Sequence, residues 1–208
     1  MRVGMLIDLQ KCIGCGACAM ICRQIQGAPA GVLFSRVLKY ENGPYPHSRL
    51  HTLPVLCMHC AVAPCLRACP TGATRREADG AVMIDAGTCI GCRACMQACP
   101  YEARRFLWTF RNYWPDEEPT PYEILARKKF EPGTVAKCDF CRARRAQGRE
   151  PGCVEACPTA ARVFGDMEDQ DSKISRLLGR HDASRLRPEL GTEPAVWYRC
   201  LPGATPQY

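Results

Sequence analysis

Apolar residues come in short runs along this chain, separated by polar and glycine-rich stretches. Met5-Leu6-Ile7 and Ala81-Val82-Met83-Ile84 are compact runs, and each leads into a cysteine-rich loop, so both predict brief β-strands. Short helices are expected to start near the fourth cysteine of each such loop, where alanines and longer side chains gather, as at Ala98-Cys99 and Ala156-Cys157. No run approaches the roughly 18 continuous apolar residues of a membrane span. So little apolar material cannot by itself fold modules of about 50 residues, and bound metal is expected to supply much of the folding free energy.

Cysteine is what changes the picture. The chain has 208 residues and 17 cysteines, about 8% and near the range of a cysteine-built scaffold. Disulfides and metal compete as explanations. The opening stretch, MRVGMLIDLQKC, carries no apolar signal-peptide core, so ligands are expected rather than crosslinks.

The cysteines form an internal repeat. Motif one is Cys12, Cys15, Cys18 and Cys22, spaced C-x2-C-x2-C-x3-C. Motif two, CMHCAVAPCLRACP, holds Cys57, Cys60, Cys65 and Cys69. Motif three, CIGCRACMQACP, holds Cys89, Cys92, Cys95 and Cys99. Motif four is pulled apart, with Cys138 and Cys141 before an arginine-rich loop and Cys153 and Cys157 after it. Pro70, Pro100 and Pro158 follow the last cysteines of motifs two to four, Arg23 takes that place in motif one, and Cys200 is left over.

A cubane of iron and sulfide needs one soft thiolate on each of four irons. Two-residue gaps let a tight loop wrap three corners when the intervening residues are small, as Gly14, Gly16, Ala17, Gly91 and Ala94 are. The fourth cysteine sits too close along the chain to complete the same cube. In two-cluster ferredoxins it ligates the other cluster and the proline turns the chain away, so Cys99 is expected to reach across from the group of Cys89, Cys92 and Cys95. Structural zinc, the rival, takes paired C-x2-C knuckles; motifs two and four alone resemble that, motifs one and three do not.

The formal charge of +7 treats every cysteine as neutral. Four cubanes with their thiolates add about eight negative charges, so part of the basic excess is counter-charge, and no nucleic-acid recognition motif appears.

The four motifs in this order resemble the four-cluster electron-transfer (beta) subunit of bis-molybdopterin oxidoreductases, of the polysulfide, thiosulfate, tetrathionate and arsenate reductase type. The resemblance runs from GMLIDLQKCIGCGAC to ARVFGDMEDQDSK and LRPELGTEPAVWY. It implies an α+β, loop-rich fold of two ferredoxin-like modules, each holding two 4Fe–4S clusters. Residues 1–50 and 131–165 would form one module, with motifs one and four. Residues 51–100, with motifs two and three, would be inserted within it. Residues 101–130 would be an aromatic insertion, and 166–208 an extended C-terminal tail. The implied ligand sets are Cys12, Cys15, Cys18 and Cys157 for cluster one, and Cys57, Cys60, Cys65 and Cys99 for cluster two. Cluster three takes Cys69, Cys89, Cys92 and Cys95, and cluster four takes Cys22, Cys138, Cys141 and Cys153. Nitrate-reductase relatives lack one ligand and carry a three-iron cluster, whereas every such position here is cysteine. Respiratory formate dehydrogenase relatives carry a C-terminal membrane helix, whereas this chain ends in polar, proline-rich sequence.

The implied role is a non-catalytic relay between a molybdopterin catalytic subunit and a quinone-reactive membrane subunit or other redox partner. Co-export with a signal-bearing partner would place it on the extracytoplasmic face of the membrane; the alternative is cytoplasmic. The rival function is a free-standing polyferredoxin-like carrier for a hydrogenase or formate dehydrogenase. His59 is expected to be a spacer or hydrogen-bond donor, and Cys200 a thiol outside the ligand sets. Arg142, Arg144, Arg145 and Arg149 read either as a solvated loop or as a basic docking edge. Tyr101, Phe106, Trp108, Phe110, Tyr113, Trp114, Tyr122 and Phe130 crowd a segment with little core to fill, which predicts a partner interface.

Overall fold

The computed structural model describes residues 1–114, 116–180 and 183–200. β1 (Val3–Asp8) is buried along its whole length and delivers the chain to motif one, where α1 (Ala17–Gln26) follows. β2 (Ser35–Asn42) and β3 (Arg49–Leu56) pair antiparallel, with Ser35 opposite Leu56 and Asn42 opposite Arg49. Motif two contains α2 (Pro64–Arg67) and is followed by the pair β4 (Thr74–Arg76) and β5 (Val82–Ile84). Motif three contains α3 (Ala94–Gln97), then β6 (Arg104–Phe106), α4 (Pro121–Arg127) and β7 (Val135–Lys137). α5 (Arg142–Arg145) and α6 (Gly152–Glu155) lie in motif four, and β8 (Arg162–Asp166), α7 (Lys173–Arg180), β9 (Ala183–Arg185) and β10 (Val196–Arg199) follow.

One rule organises these strands. The strand leaving each motif pairs antiparallel with the strand entering the next: β2 with β3, β4 with β5, β6 with β7. The strand leaving motif four, β8, pairs back with β1 entering motif one and closes the ring. Each motif therefore hangs between two strands clamped to its neighbours. The expected module boundary at 50/51 falls inside β3, so the two sequence segments are joined through shared sheets.

The expected strands are present at β1 and β5. The helices begin earlier than expected. α2, α3 and α6 carry the third cysteines, Cys65, Cys95 and Cys153, and end before Cys69, Cys99 and Cys157. Proline disfavours helical backbone at the residue before it, so the turn stops short of each fourth cysteine. In motif one Arg23 replaces proline, and α1 runs on through Cys22 to Gln26.

The segment from 166 to 200 is not an extended tail. β10 is a strand of the four-stranded sheet β8-β1-β10-β9, parallel to β1 with Met5 opposite Val196. Val196 and Tyr198 are fully buried, and the Tyr198 hydroxyl donates to the Pro54 carbonyl at 2.9 Å. Ile174 of α7 is also fully buried. β10 is short and its partner lies at the other end of the chain, so local pattern alone gave no reason to seat it in the core. Residues 201–208 of the expected tail lie outside the described residues.

The aromatic insertion likewise loses its first residues to the fold. Tyr101 is buried with its hydroxyl 2.5 Å from Thr192 Oγ1, and 104–106 form β6. Phe130 packs against the core, its ring 5.9 Å from Phe34. The core mixes hydrocarbon with sulfur: Met5, Ile7, Leu53, Val55 and Tyr198 share one cluster with Cys18, Cys22, Cys57, Cys60, Cys138 and Cys153.

Candidate metal centres

All 17 cysteines are free thiols, and the fold sorts all but Cys200 into four groups. Cys12, Cys15, Cys18 and Cys157 line one small cavity, and Cys69, Cys89, Cys92 and Cys95 line another. Cys60 has Cys57, Cys65 and Cys99 as its electrostatic neighbours. Cys22 faces Cys153 and Cys141, and Cys138 faces Cys22 and Cys153. Motif one thus meets motif four, and motif two meets motif three. In each, the fourth cysteine leaves its own motif's group, and Cys99 stands with Cys57, Cys60 and Cys65.

The donor set fits 4Fe–4S clusters. Among the described residues no three His, Cys, Asp or Glu side chains converge tightly enough for a single ion. A cubane instead wants its thiolates spread over four corners. The loops supply N–H donors to sulfur. Thr74 N–H donates to Cys69 Sγ and Ala161 N–H to Cys157 Sγ, both at 3.3 Å. Thr71 and Thr159 set their hydroxyls 3.8 and 3.7 Å from the same two sulfurs. Burial works against both thiolates, but these hydrogen bonds outweigh it and hold the Cys69 and Cys157 thiols below their ordinary range.

The inner thiols behave oppositely. Burial, helped by the neighbouring cysteines, pushes Cys60 up to about 12 and drives Cys22 and Cys138 higher than free cysteine. Such thiols are neutral in the bare chain, so metal must displace their protons as it binds.

Two buried arginines reach these groups. Arg162 donates through Nη2 to Cys18 Sγ at 3.3 Å, and Cys153 is its strongest charge partner. Arg104 has Cys65 and Cys95 as its strongest charge partners, its Nη1 donates to Thr74 Oγ1 at 3.1 Å, and its Nη2 is buried without a hydrogen-bond partner.

Similarity to known proteins agrees with this geometry. The 4Fe–4S dicluster domain family matches residues 11–73, 48–113 and 111–167. The arsenate respiratory reductase iron–sulfur subunit ArrB of Shewanella sp. (strain ANA-3) is 38% identical over 224 residues, covering 95% of this chain and 96% of that protein. A selenate reductase subunit of Mesobacillus selenatarsenatis is 39% identical over 205 residues, covering 93% and 70%. A tetrathionate reductase subunit of Salmonella typhimurium is 38% identical over 208 residues, covering 98% and 74%. The chain belongs to the 4Fe–4S dicluster family. Within it the chain is an iron–sulfur beta subunit of the molybdopterin oxidoreductases, as its motifs implied.

For this dicluster subunit, several expectations resolve residue by residue. His59 is a buried spacer whose Nδ1 accepts the Val82 N–H at 3.0 Å, an acceptor where a donor was expected, and its ring stacks on Phe140 at 3.7 Å. Burial, with Lys137 nearby, holds its imidazole neutral. Cys200 joins none of the four groups; its carbonyl accepts from the Gln10 side-chain amide at 2.8 Å. The arginine loop is pinned from within: Arg145 pairs with Asp79 at 2.8 Å and Arg142 with Glu77 at 3.6 Å, both on the β4–β5 turn side, while Arg144 pairs with Glu155.

The residues that sequence reasoning missed carry a repeat of their own. Motif three ends Cys99-Pro-Tyr-Glu-Ala-Arg104 and motif four ends Cys157-Pro-Thr-Ala-Ala-Arg162. Aligning the two would have singled out both arginines.

The aromatic segment beyond β6 turns outward. α4 starts at a capping box in which Thr120 Oγ1 accepts the Glu123 N–H at 3.2 Å and Glu123 accepts the Thr120 N–H at 2.8 Å. Glu123 then pairs with Arg127 at 2.8 Å on the inner face. The outer face carries Tyr122, Ile124 and Leu125, 50%, 52% and 68% exposed. With Trp114 and Met20, Tyr122 lines an open apolar groove of about 510 Å³ against α1.

Proposed function

We propose that this chain relays electrons singly through four 4Fe–4S clusters between a molybdopterin catalytic subunit and a quinone-reactive membrane subunit or other redox partner. The complex would act on a sulfur or arsenic oxyanion. The cofactor supplies reversible one-electron redox chemistry; the protein supplies spacing, charge and hydrogen bonds. Cys12, Cys15, Cys18 and Cys157 would hold cluster one, and Cys22, Cys138, Cys141 and Cys153 cluster four. Cys57, Cys60, Cys65 and Cys99 would hold cluster two, and Cys69, Cys89, Cys92 and Cys95 cluster three. This gives two ferredoxin-like modules of two clusters each, one inserted in the other.

The observation that carries the reading is the order of the groups. Cys18 neighbours Cys153, Cys138 neighbours Cys57, and Cys65 neighbours Cys95, which strings the groups in the order one, four, two, three. The end groups each contain an exposed cysteine, Cys15 or Cys92, while every cysteine of group four is buried. A wire needs insulated middle sites and accessible ends. The relatives are named as subunits of reductases and a dehydrogenase, which supports a partner at each end. The groove beside α4 is the proposed contact for one of them. Co-export with a signal-bearing catalytic partner is the proposed route to the extracytoplasmic face. Among the described residues no helix is long and apolar enough to cross a membrane, and quinone chemistry is assigned to the partner.

The test uses the complex with Cys153→Ser, which interrupts the wire behind its first group. Turnover driven by a reduced dye that feeds the catalytic subunit directly should persist, while quinol-driven turnover should be lost. Undiminished quinol-driven turnover would contradict the relay.

A further inference from the structure

We propose that Arg104 and Arg162 are positioning residues that lock the clusters into two electrostatically coupled pairs. Each guanidinium has cysteines of two adjacent groups as its strongest charge partners: Cys153 and Cys18 for Arg162, which donates to Cys18 Sγ at 3.3 Å, and Cys65 and Cys95 for Arg104, whose Nη2 is buried without a hydrogen-bond partner. The inference rests on the four-cluster reading above and adds to it a role for two side chains outside the ligand sets.

The two sites are built alike. Each arginine stands five residues after a proline-flanked fourth cysteine and opens the strand leaving its motif, β6 or β8. Both are almost fully buried, at 2% and 3% exposure. Burying an ion is costly unless it is paired and hydrogen-bonded, and the partners that surround these are mainly cysteine sulfurs. Arg162 also faces Met5 Sδ at 3.7 Å and the Tyr198 hydroxyl, and Arg104 faces Thr74 Oγ1. No carboxylate appears among the groups acting most strongly on either guanidinium. Thiolates of cluster-binding cysteines are therefore what balances them.

A guanidinium stays charged at all working pH values and presents several donors in a rigid fork, so it can tie two sulfurs at fixed separation. A fixed positive charge in a poorly screened interior favours the more negative, reduced state on both sides of it. Electron transfer across each arginine oxidises one cluster and reduces its neighbour by one electron, with no proton moving at the guanidinium. The middle junction is different. Cys138 and Cys57 meet there with no arginine between them among their main charge partners, and the nearby Lys137 ammonium donates to the carbonyls of Val82 and Cys138 rather than to a sulfur.

Redox titration followed by electron paramagnetic resonance, on the full chain as isolated anaerobically, tests this, with iron and sulfide measured on each preparation. Arg162→Gln should lower two of the four midpoint potentials, and Arg104→Gln should lower the other two. Arg162→Lys, which keeps the charge, should leave the first pair closer to the parent. With iron at the parent's level, unchanged potentials or one uniform shift of all four would overturn the inference. If Arg162→Gln cannot retain iron, Arg104→Gln alone is read by this criterion. A parent protein holding about eight irons rather than sixteen would instead overturn the four-cluster reading itself.

Discussion

Gly91 sits between the first two cysteines of motif three at φ 68°, and a Cβ there would stand 2.0 Å from the Gly133 carbonyl oxygen. Backbone cannot yield as a side-chain tip does, so Gly91→Ala must displace the loop that carries Cys89 and Cys92. The variant should lose about four irons per chain. Gly148→Ala is the control: φ is also positive there, but no atom lies within 4 Å of the added methyl, and the strain of roughly 1–2 kcal/mol should leave iron content intact. Equal iron in both variants would remove the packing argument. Cys99 gives a second residue-scale outcome. Cys99→Ala should abolish the spectroscopic signal of the cluster held by Cys57, Cys60 and Cys65 before that held by Cys89, Cys92 and Cys95, whereas Cys200→Ser should change neither. The cysteines were legible because ligand spacing is written directly in the chain. Arg104 and Arg162 were not read from spacing, because the sulfurs they face are brought to them from other parts of the chain.

At the scale of elements, the strands beside the motifs were readable as short apolar runs, and the helices were displaced by a turn because proline stops rather than starts them. β10 was invisible. Its Val196 and Tyr198 gain their meaning only from β1, almost a full chain length away, and sequence pattern carries no such pairing. Tyr198→Ala tests that placement: removing a fully buried aromatic typically costs about 3–5 kcal/mol, so cluster absorption should bleach at a clearly lower temperature. A change within about 0.5 kcal/mol would mean a surface tail after all. α4 is the reverse case, an element whose Glu123–Arg127 pair faces in and whose apolar residues face out. Aromatic anchors in a well-packed contact are worth about 2 kcal/mol or more each. Trp114→Ala with Tyr122→Ala should therefore weaken assembly with a partner subunit while iron stays at the parent's level. Loss of iron would make these residues core, and retention of both iron and partner would make the groove an ordinary surface.

For the whole molecule, the ring of strand pairs explains how so small a hydrocarbon core holds together: each motif is clamped to both neighbours, and the four thiol groups fill the space between. Iron–sulfur chemistry was legible in the cysteine spacing, and the meeting of motif one with four and two with three came from the family resemblance that the motifs carry. The sharing of sheets across the module boundary and the burial gradient along the groups were unreadable, since both depend on distant segments meeting. Four clusters in one chain are the central claim. Iron and acid-labile sulfide, measured together on anaerobically isolated and fully reconstituted protein, test it most directly. About sixteen of each per chain are expected; a reproducible value near eight would contradict the claim.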